Sequence, residues 1–323
     1  MTSGTTSGAD HGERFRDALA ARGFARTDHA VPTSTKRFPD GAQCRVEIPS
    51  VEGPDVLDAV LAEADARGVP VHRVSQGSGS LLLTDAELAR MAATAARRPV
   101  EVSLFARPLA GWGAASAASH APGGRGLAAQ ARGTEQLVHV LEDIQRAVDA
   151  GIRSVLITDL GVLETAASLR TAGEFPADLQ FKISVQMGLS NPAAIRLAER
   201  LGADTYNVPT DMSLGELAAI RAAIDIPLDI YIESPDDMGG FVRHAEIADI
   251  VRVAAPVYLK FGLANHPPIY PSGTHLDAVT VALGRERVRR AQIGLERLRR
   301  TMPDAVMSEI PAAGLALPAG ALG

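Results

Sequence analysis

Residues 179–188, LQFKISVQMG, read as a strand with two unlike faces. Phe181, Ile183 and Val185 alternate with Gln180, Lys182, Ser184 and Gln186. Alternation at period two puts the first set on one face and the second on the other. The polar face of a strand ordinarily looks at water. Here helix-like apolar stretches flank the strand on both sides, which implies a sheet covered by helices and leaves the polar set no bulk solvent to meet. A closed barrel resolves the conflict, because its outward residues lie under helices while the alternate set points into its interior.

The chain around this stretch keeps the same rhythm. Strands are expected at 43–48, 69–76, 99–106, 152–158, 179–187, 203–208, 227–233 and 250–255. Between them lie segments with apolar residues at three- and four-residue spacing, such as GPDVLDAVLAEADARG, TDAELARMAATAARR, TEQLVHVLEDIQRAVDAG and NPAAIRLAERLG. Thr84 with Asp85, and Thr134 with Gln136, stand where helix starts need caps, and Gly151 and Gly202 where helices close. Eight strands alternating with helices over roughly 250 residues match an α/β fold, a single (β/α)8 TIM-type barrel. The barrel is expected over residues 41–302, after an N-terminal leader (1–40) with a short helix at 13–25. A C-terminal helix (276–301) and a flexible tail (303–323) follow. An open doubly wound sheet is the alternative, but QGSGS at 76–80 lacks the GxGxxG spacing of its dinucleotide-binding form. Long connections at 108–132 and 256–275 would both lie at the barrel's C-terminal face.

Composition narrows the function classes. With 323 residues, 46% of them hydrophobic and 22% charged, the chain reads as a soluble globular protein. A net charge of −6 argues against general nucleic-acid binding. No run of about 18 apolar residues is present, so no membrane partner is expected. The small polar leader MTSGTTSGADHG does not read as a secretory signal, and the expected location is cytoplasmic. The mixed Arg/Glu pattern of the last helix suits a solvated face or a homo-oligomer contact. Cys44 is the only cysteine, so neither an internal disulfide nor an iron–sulfur cluster is expected; it reads as a small buried hydrophobe.

Barrel parity then sorts the polar residues by height. Glu101, Lys182, Asp229, Arg45 and Arg252 fall early in their strands, where opposite charges are expected to pair because a lone buried charge is prohibitive. Lys182 is therefore read as an ion-pair partner before a Schiff-base lysine. In the second strand the inward set is either His72 with Gln76 or Arg73 with Ser75. Glu47, Gln76, Arg107, Asp159, Gln186, Asn207 and Glu233 fall at strand ends, where barrel enzymes place their chemistry. Arg107, with Lys260, would anchor a substrate carboxylate or phosphate. Gln76, Gln186 and Asn207 would orient the substrate by hydrogen bonds. Glu233, with Glu47 or Asp159, would move protons, or the three carboxylates would hold Mg²⁺ or Mn²⁺. Ser78 lacks the GxSxG setting of a serine nucleophile, and its glycine-flanked loop suits a tight turn or a cradle of backbone N–H groups for an anion.

Three stretches carry a resemblance: RVEIPSVEGPDVLDAVLAEA (45–64), LGADTYNVPTDMSLGELAAI (201–220) and LKFGLANHPPIYPSGTHL (259–276). Together they resemble the collagenase-like peptidases, peptidase family U32, over roughly residues 43–276. The resemblance implies a barrel-like protein and an enzymatic role. Several members of that family modify RNA or help hydroxylate quinone precursors with cysteine-bound iron–sulfur clusters. This chain has no such cysteines, and Glu233, Ser234 and Pro235 stand where members often carry histidine, glycine and cysteine, so cluster chemistry does not carry over.

Three functions follow as expectations. The first is an enzyme acting on a small anionic, carboxylate-bearing molecule by acid–base chemistry of the lyase, aldolase or isomerase type. The second is a hydrolase acting on peptides or amides, as the family label implies. The third is a non-catalytic binding subunit.

Overall fold

The computed structural model describes residues 11–28, 31–108 and 130–319. Eight strands close into one barrel in sequence order: β1 (Cys44–Pro49), β2 (Arg73–Ser75), β3 (Glu101–Phe105), β4 (Ser154–Ile157), β5 (Gln180–Ile183), β6 (Thr205–Asn207), β7 (Leu228–Glu233) and β8 (Val257–Phe261). Every neighbouring pair is parallel, including β1 with β8. A short helix α1 (His11–Ala20) precedes the barrel. The outer helices are α2 (Pro54–Arg67), α3 (Asp85–Arg97), α4 (Gly133–Asp149), α5 (Leu160–Ala172), α6 (Pro192–Arg200), α7 (Leu214–Ala223), α8 (Ile247–Ala254) and α9 (Asp277–Thr301). The fold is a (β/α)8 barrel with a long C-terminal helix.

Local chemistry sets the boundaries. Thr84 and Ser213 each form a reciprocal capping box with the glutamate three residues on, starting α3 and α7. Pro54 opens α2, and Gly68, at φ 61°, ends it in the left-handed region. The expected cap at Thr134 is displaced: α4 begins at Gly133, and Gln136 Oε1 accepts from Arg132 N at 2.8 Å. Outward residues such as Val46, Val74, Leu104, Phe181, Ile230 and Leu259 are buried between strands and helices, where most of the apolar core lies.

Two expectations about the chain's last third are corrected. Residues 250–254 are the end of α8 and Ala255 caps it, so this run is not a strand; β8 comes next, inside the segment expected to be a loop after it. The run IVRVAA has β-branched residues, but its apolar positions also fit a helical face packed on the barrel, and packing decides between the two. Arg252 consequently lies on α8, pairing with Asp249 at 3.0 Å, rather than inside the barrel. Most of the 108–132 connection falls outside the described residues.

The tail is also not loose where it is described. Residues 303–319 run across the N-terminal end of the barrel. Met307 bridges to Cys44, and Ser308 N donates to the Cys44 carbonyl at 3.2 Å. Arg45, almost wholly buried, answers this segment with bonds to Ser308 Oγ (2.9 Å) and the Ala313 carbonyl (2.6 Å), and pairs with Asp40 at 3.1 Å. His72 accepts from Val46 N through Nδ1 at 3.0 Å, so its Nε2–H donates to the Ser308 carbonyl at 2.9 Å. Burial pushes the His72 pKa down to about 4, which keeps the ring neutral in that role. Cys44 is buried too, and burial pushes its thiol up to about 12.

Candidate functional site

The polar residues that point into the barrel lie in two storeys. Lys182 lies in a dry layer of charge across the middle of the barrel. Its Nζ contacts Glu47 Oε2 at 2.7 Å and also bonds Asp229. Arg73, the inward residue of β2, meets the same two carboxylates, at 2.6 Å from Glu47, and stands 3.7 Å from Glu101. Ser75 Oγ donates to Glu47 at 2.6 Å. Burial works against the charge of Glu47, yet Arg73, Lys182 and Lys260 hold its carboxyl well below the usual range. Burial and the neighbouring Arg73 lower Lys182 to about 8, against the pull of Asp229 and Glu47. Such a layer is held by mutual pairing, since losing one partner strands the others in low dielectric.

Above that layer, at the C-terminal mouth, a pocket draws residues from every strand or the loop after it. Ser50, Gln76, Arg107, Leu156, Gln186, Asn207, Tyr231 and Lys260 are representatives from β1 to β8 in turn. Lys260 Nζ stands 3.1 Å from Glu47 Oε1 and 4.6 Å from the centre of the Tyr231 ring. With its amide set to suit these neighbours, Asn207 accepts from Lys260 Nζ at 2.9 Å and donates to the Asp229 carbonyl at 3.1 Å. Arg107 Nη1 donates to the Gly77 carbonyl at 3.3 Å, and burial lowers its pKa from the usual arginine value.

The five residues expected to bind substrate, Gln76, Arg107, Gln186, Asn207 and Lys260, all line this one pocket. The three expected to carry protons do not, and each has a structural reason. Glu47 is one layer lower than expected, because β1 continues two residues beyond it to Pro49. Asp159 caps α5, accepting from Gly161 N (2.7 Å) and Val162 N (3.0 Å), and also from Ala131 N (3.2 Å). Glu233 follows a register irregularity after Tyr231 that pairs it with Phe261, an outward position, and so reverses the parity assumed for it. It faces α9, 3.2 Å from Arg290 Nη1 and 3.4 Å from His244, and accepts from Ala264 N at 3.1 Å. Among the described residues no group of three or more His, Cys, Asp and Glu side chains could hold a metal ion, so the expected Mg²⁺ or Mn²⁺ set of Glu47, Asp159 and Glu233 does not assemble.

The sequence reading missed Asp237 and Tyr270, which overhang the pocket from the segments after β7 and β8. Their signal was positional: both lie in Pro-bearing connections at the C-terminal ends of strands. The anion cradle expected of QGSGS does form, but its occupant belongs to the chain. Gly77 N and Ser78 N each donate to the Glu52 carboxylate at 2.9 Å. Gly77 also lets Tyr270 lie close, since a Cβ there would meet its ring at 2.5 Å.

Residues 128–234 match the model of Peptidase family U32. The U32 match spans β4 to β7 with their helices, and so takes in Gln186, Asn207 and Tyr231 but neither Arg107 nor Lys260. A solved U32 peptidase, Mk0906, is 19% identical, with a TM-score of 0.38 over 59% of this chain and 69% of its own. A truncated 3-deoxy-D-arabino-heptulosonate 7-phosphate synthase from Thermotoga maritima is 13% identical, with a TM-score of 0.45 over 86% of this chain and 95% of its own. No curated protein sequence matches the chain. Likenesses this distant carry nothing about the reaction. No helix among the described residues is long and apolar enough to cross a membrane.

Proposed function

We propose that the protein is an enzyme acting on a small carboxylate-bearing molecule in the mouth pocket, by proton transfer beside a carbonyl, the chemistry of lyases, aldolases and isomerases. The observation that carries this reading is that Arg107 and Lys260 line one pocket with three amide side chains and with Asp237 as the sole carboxylate among the described residues that line it. Arginine offers a fork for a carboxylate. Lysine has three N–H bonds, and Glu47 and Asn207 direct two of those on Lys260, leaving the third for a ligand oxygen. An ammonium placed there would stabilise the negative charge that develops on a carbonyl oxygen when a neighbouring C–H is lost. Asp237, on the exposed rim, is the base the pocket offers.

The pocket as it stands leaves about 40 Å³, the space of one or two waters. Substrate entry then requires the overhanging Tyr270 or the Asp236–Met238 turn to move, a step of the kind that gates many enzymes. A thermal-shift screen of small organic anions tests the reading. Carboxylates are expected to raise the melting temperature and their neutral amides are not. A screen in which no carboxylate does so removes the proposal.

The family match favours a second reading, hydrolysis of a peptide or amide. It predicts amine release from a peptide mixture that Asp237→Asn abolishes. Glu233, tied to Arg290 and His244, is no longer the group to test.

A further inference from the structure

This inference rests on the carboxylate reading and narrows the substrate. Gln76 is 2% exposed and lines the mouth pocket, yet its Oε1 has no donor among the described residues. The amide is not free to turn over, because its Nε2 donates to the Gly79 carbonyl at 3.0 Å; the reverse orientation would set two oxygens against each other. Nor does the loop around it supply a donor. Gly77 N and Ser78 N are taken by Glu52, Arg107 Nη1 points at the Gly77 carbonyl, and Ser272 N donates to Ser78 Oγ at 2.8 Å. Buried acceptors are almost always paired, so an unpaired one that lines a pocket calls for a partner from outside the chain.

The pocket thus holds two cationic donors, Arg107 and Lys260, and one buried acceptor waiting for a donor. We infer that Gln76 Oε1 accepts a hydrogen bond from the substrate itself, so that the substrate is a hydroxy- or amino-carboxylate rather than a plain one. A site built to bond such a group rejects the analogue lacking it, because the acceptor then loses the donor it is placed to meet.

The experiment is calorimetric binding of matched pairs of short carboxylates, each hydroxy or amino acid beside its deoxy or deamino counterpart of equal chain length. Wild-type protein is expected to prefer the donor-bearing member of at least one pair by about tenfold or more. Gln76→Met is expected to collapse that ratio to within about twofold. Equal affinities across every pair in wild type would overturn the inference and leave the carboxylate reading standing. A preference that survives in Gln76→Met would overturn it as well, by assigning the donor to another group. Binding of no carboxylate at all would remove the underlying reading, and this inference with it.

Discussion

Lys260 Nζ lies 3.1 Å from the Glu47 carboxylate while the same side chain lines the mouth pocket, so Lys260 joins the charge layer inside the barrel to the pocket above it. Glu47 also holds Arg73 and Lys182, and Ser75 donates to it. A carboxylate with three cationic partners and no exposure is held in place by pairing.

Glu47→Gln is accordingly expected to cost about 3–5 kcal/mol of stability, the penalty for stranding buried partners of a broken pair. Urea unfolding measures it. Full stability with lost turnover would instead make Glu47 a catalytic group.

Asp159→Ala is expected to cost about 1 kcal/mol, as for other helix N-caps, and to leave ligand affinity at the mouth unchanged. Its carboxylate serves Gly161 N, Val162 N and Ala131 N, none of which lines the pocket. A fall in affinity without a fall in stability would return Asp159 to the site.

His72 sets a pH dependence. Its folded pKa is lowered to about 4 from an ordinary value of 6.5, chiefly by burial. Above 6.5 the ring is neutral whether the chain is folded or not. Between 6.5 and 4 the unfolded chain binds the proton and the folded chain does not, so stability falls with pH across that window, by up to about 3 kcal/mol. Urea midpoints from pH 7 to 4 should decline, and His72→Gln should flatten the part of the slope this ring contributes. An unchanged slope in the variant would contradict the assignment.

Deleting residues after Met302 is expected to destabilise the barrel by several kcal/mol, because it leaves Arg45, His72 and Glu101 without the Ser308, Ala313 and Ala316 groups that meet them at the barrel floor. A truncated chain as stable as the full one would make the tail dispensable.

The barrel was legible because its signal is periodic: one polar face in a strand flanked by helical stretches admits few other folds, and Lys182 sits inside, paired, as that face demands. The mouth amides and Arg107 were legible for the same reason, since parity counted along β3 and β5 carries through to Arg107 and Gln186. What failed were features with no period. The register irregularity that turns Glu233 outward leaves no mark in the sequence. IVRVAA satisfies strand and helix alike, and only the strand pairing of Val257–Phe261 with β1 and β7 settles it. Asp159 stands at a strand end that is also a helix start, and the backbone N–H groups of α5 won the carboxylate. The tail looked loose because Ala, Gly and Pro dominate it, but its carbonyls, rather than its side chains, make several of its polar contacts.

The most direct measurement is the affinity of the best carboxylate ligand for wild type, Arg107→Met and Lys260→Met, with unfolding curves run on the same samples. Each substitution is expected to weaken binding at least tenfold, about 1.4 kcal/mol, with Lys260→Met also lowering stability because it breaks the buried pair with Glu47. Folded variants that bind the carboxylate as wild type does would contradict the account of the mouth pocket.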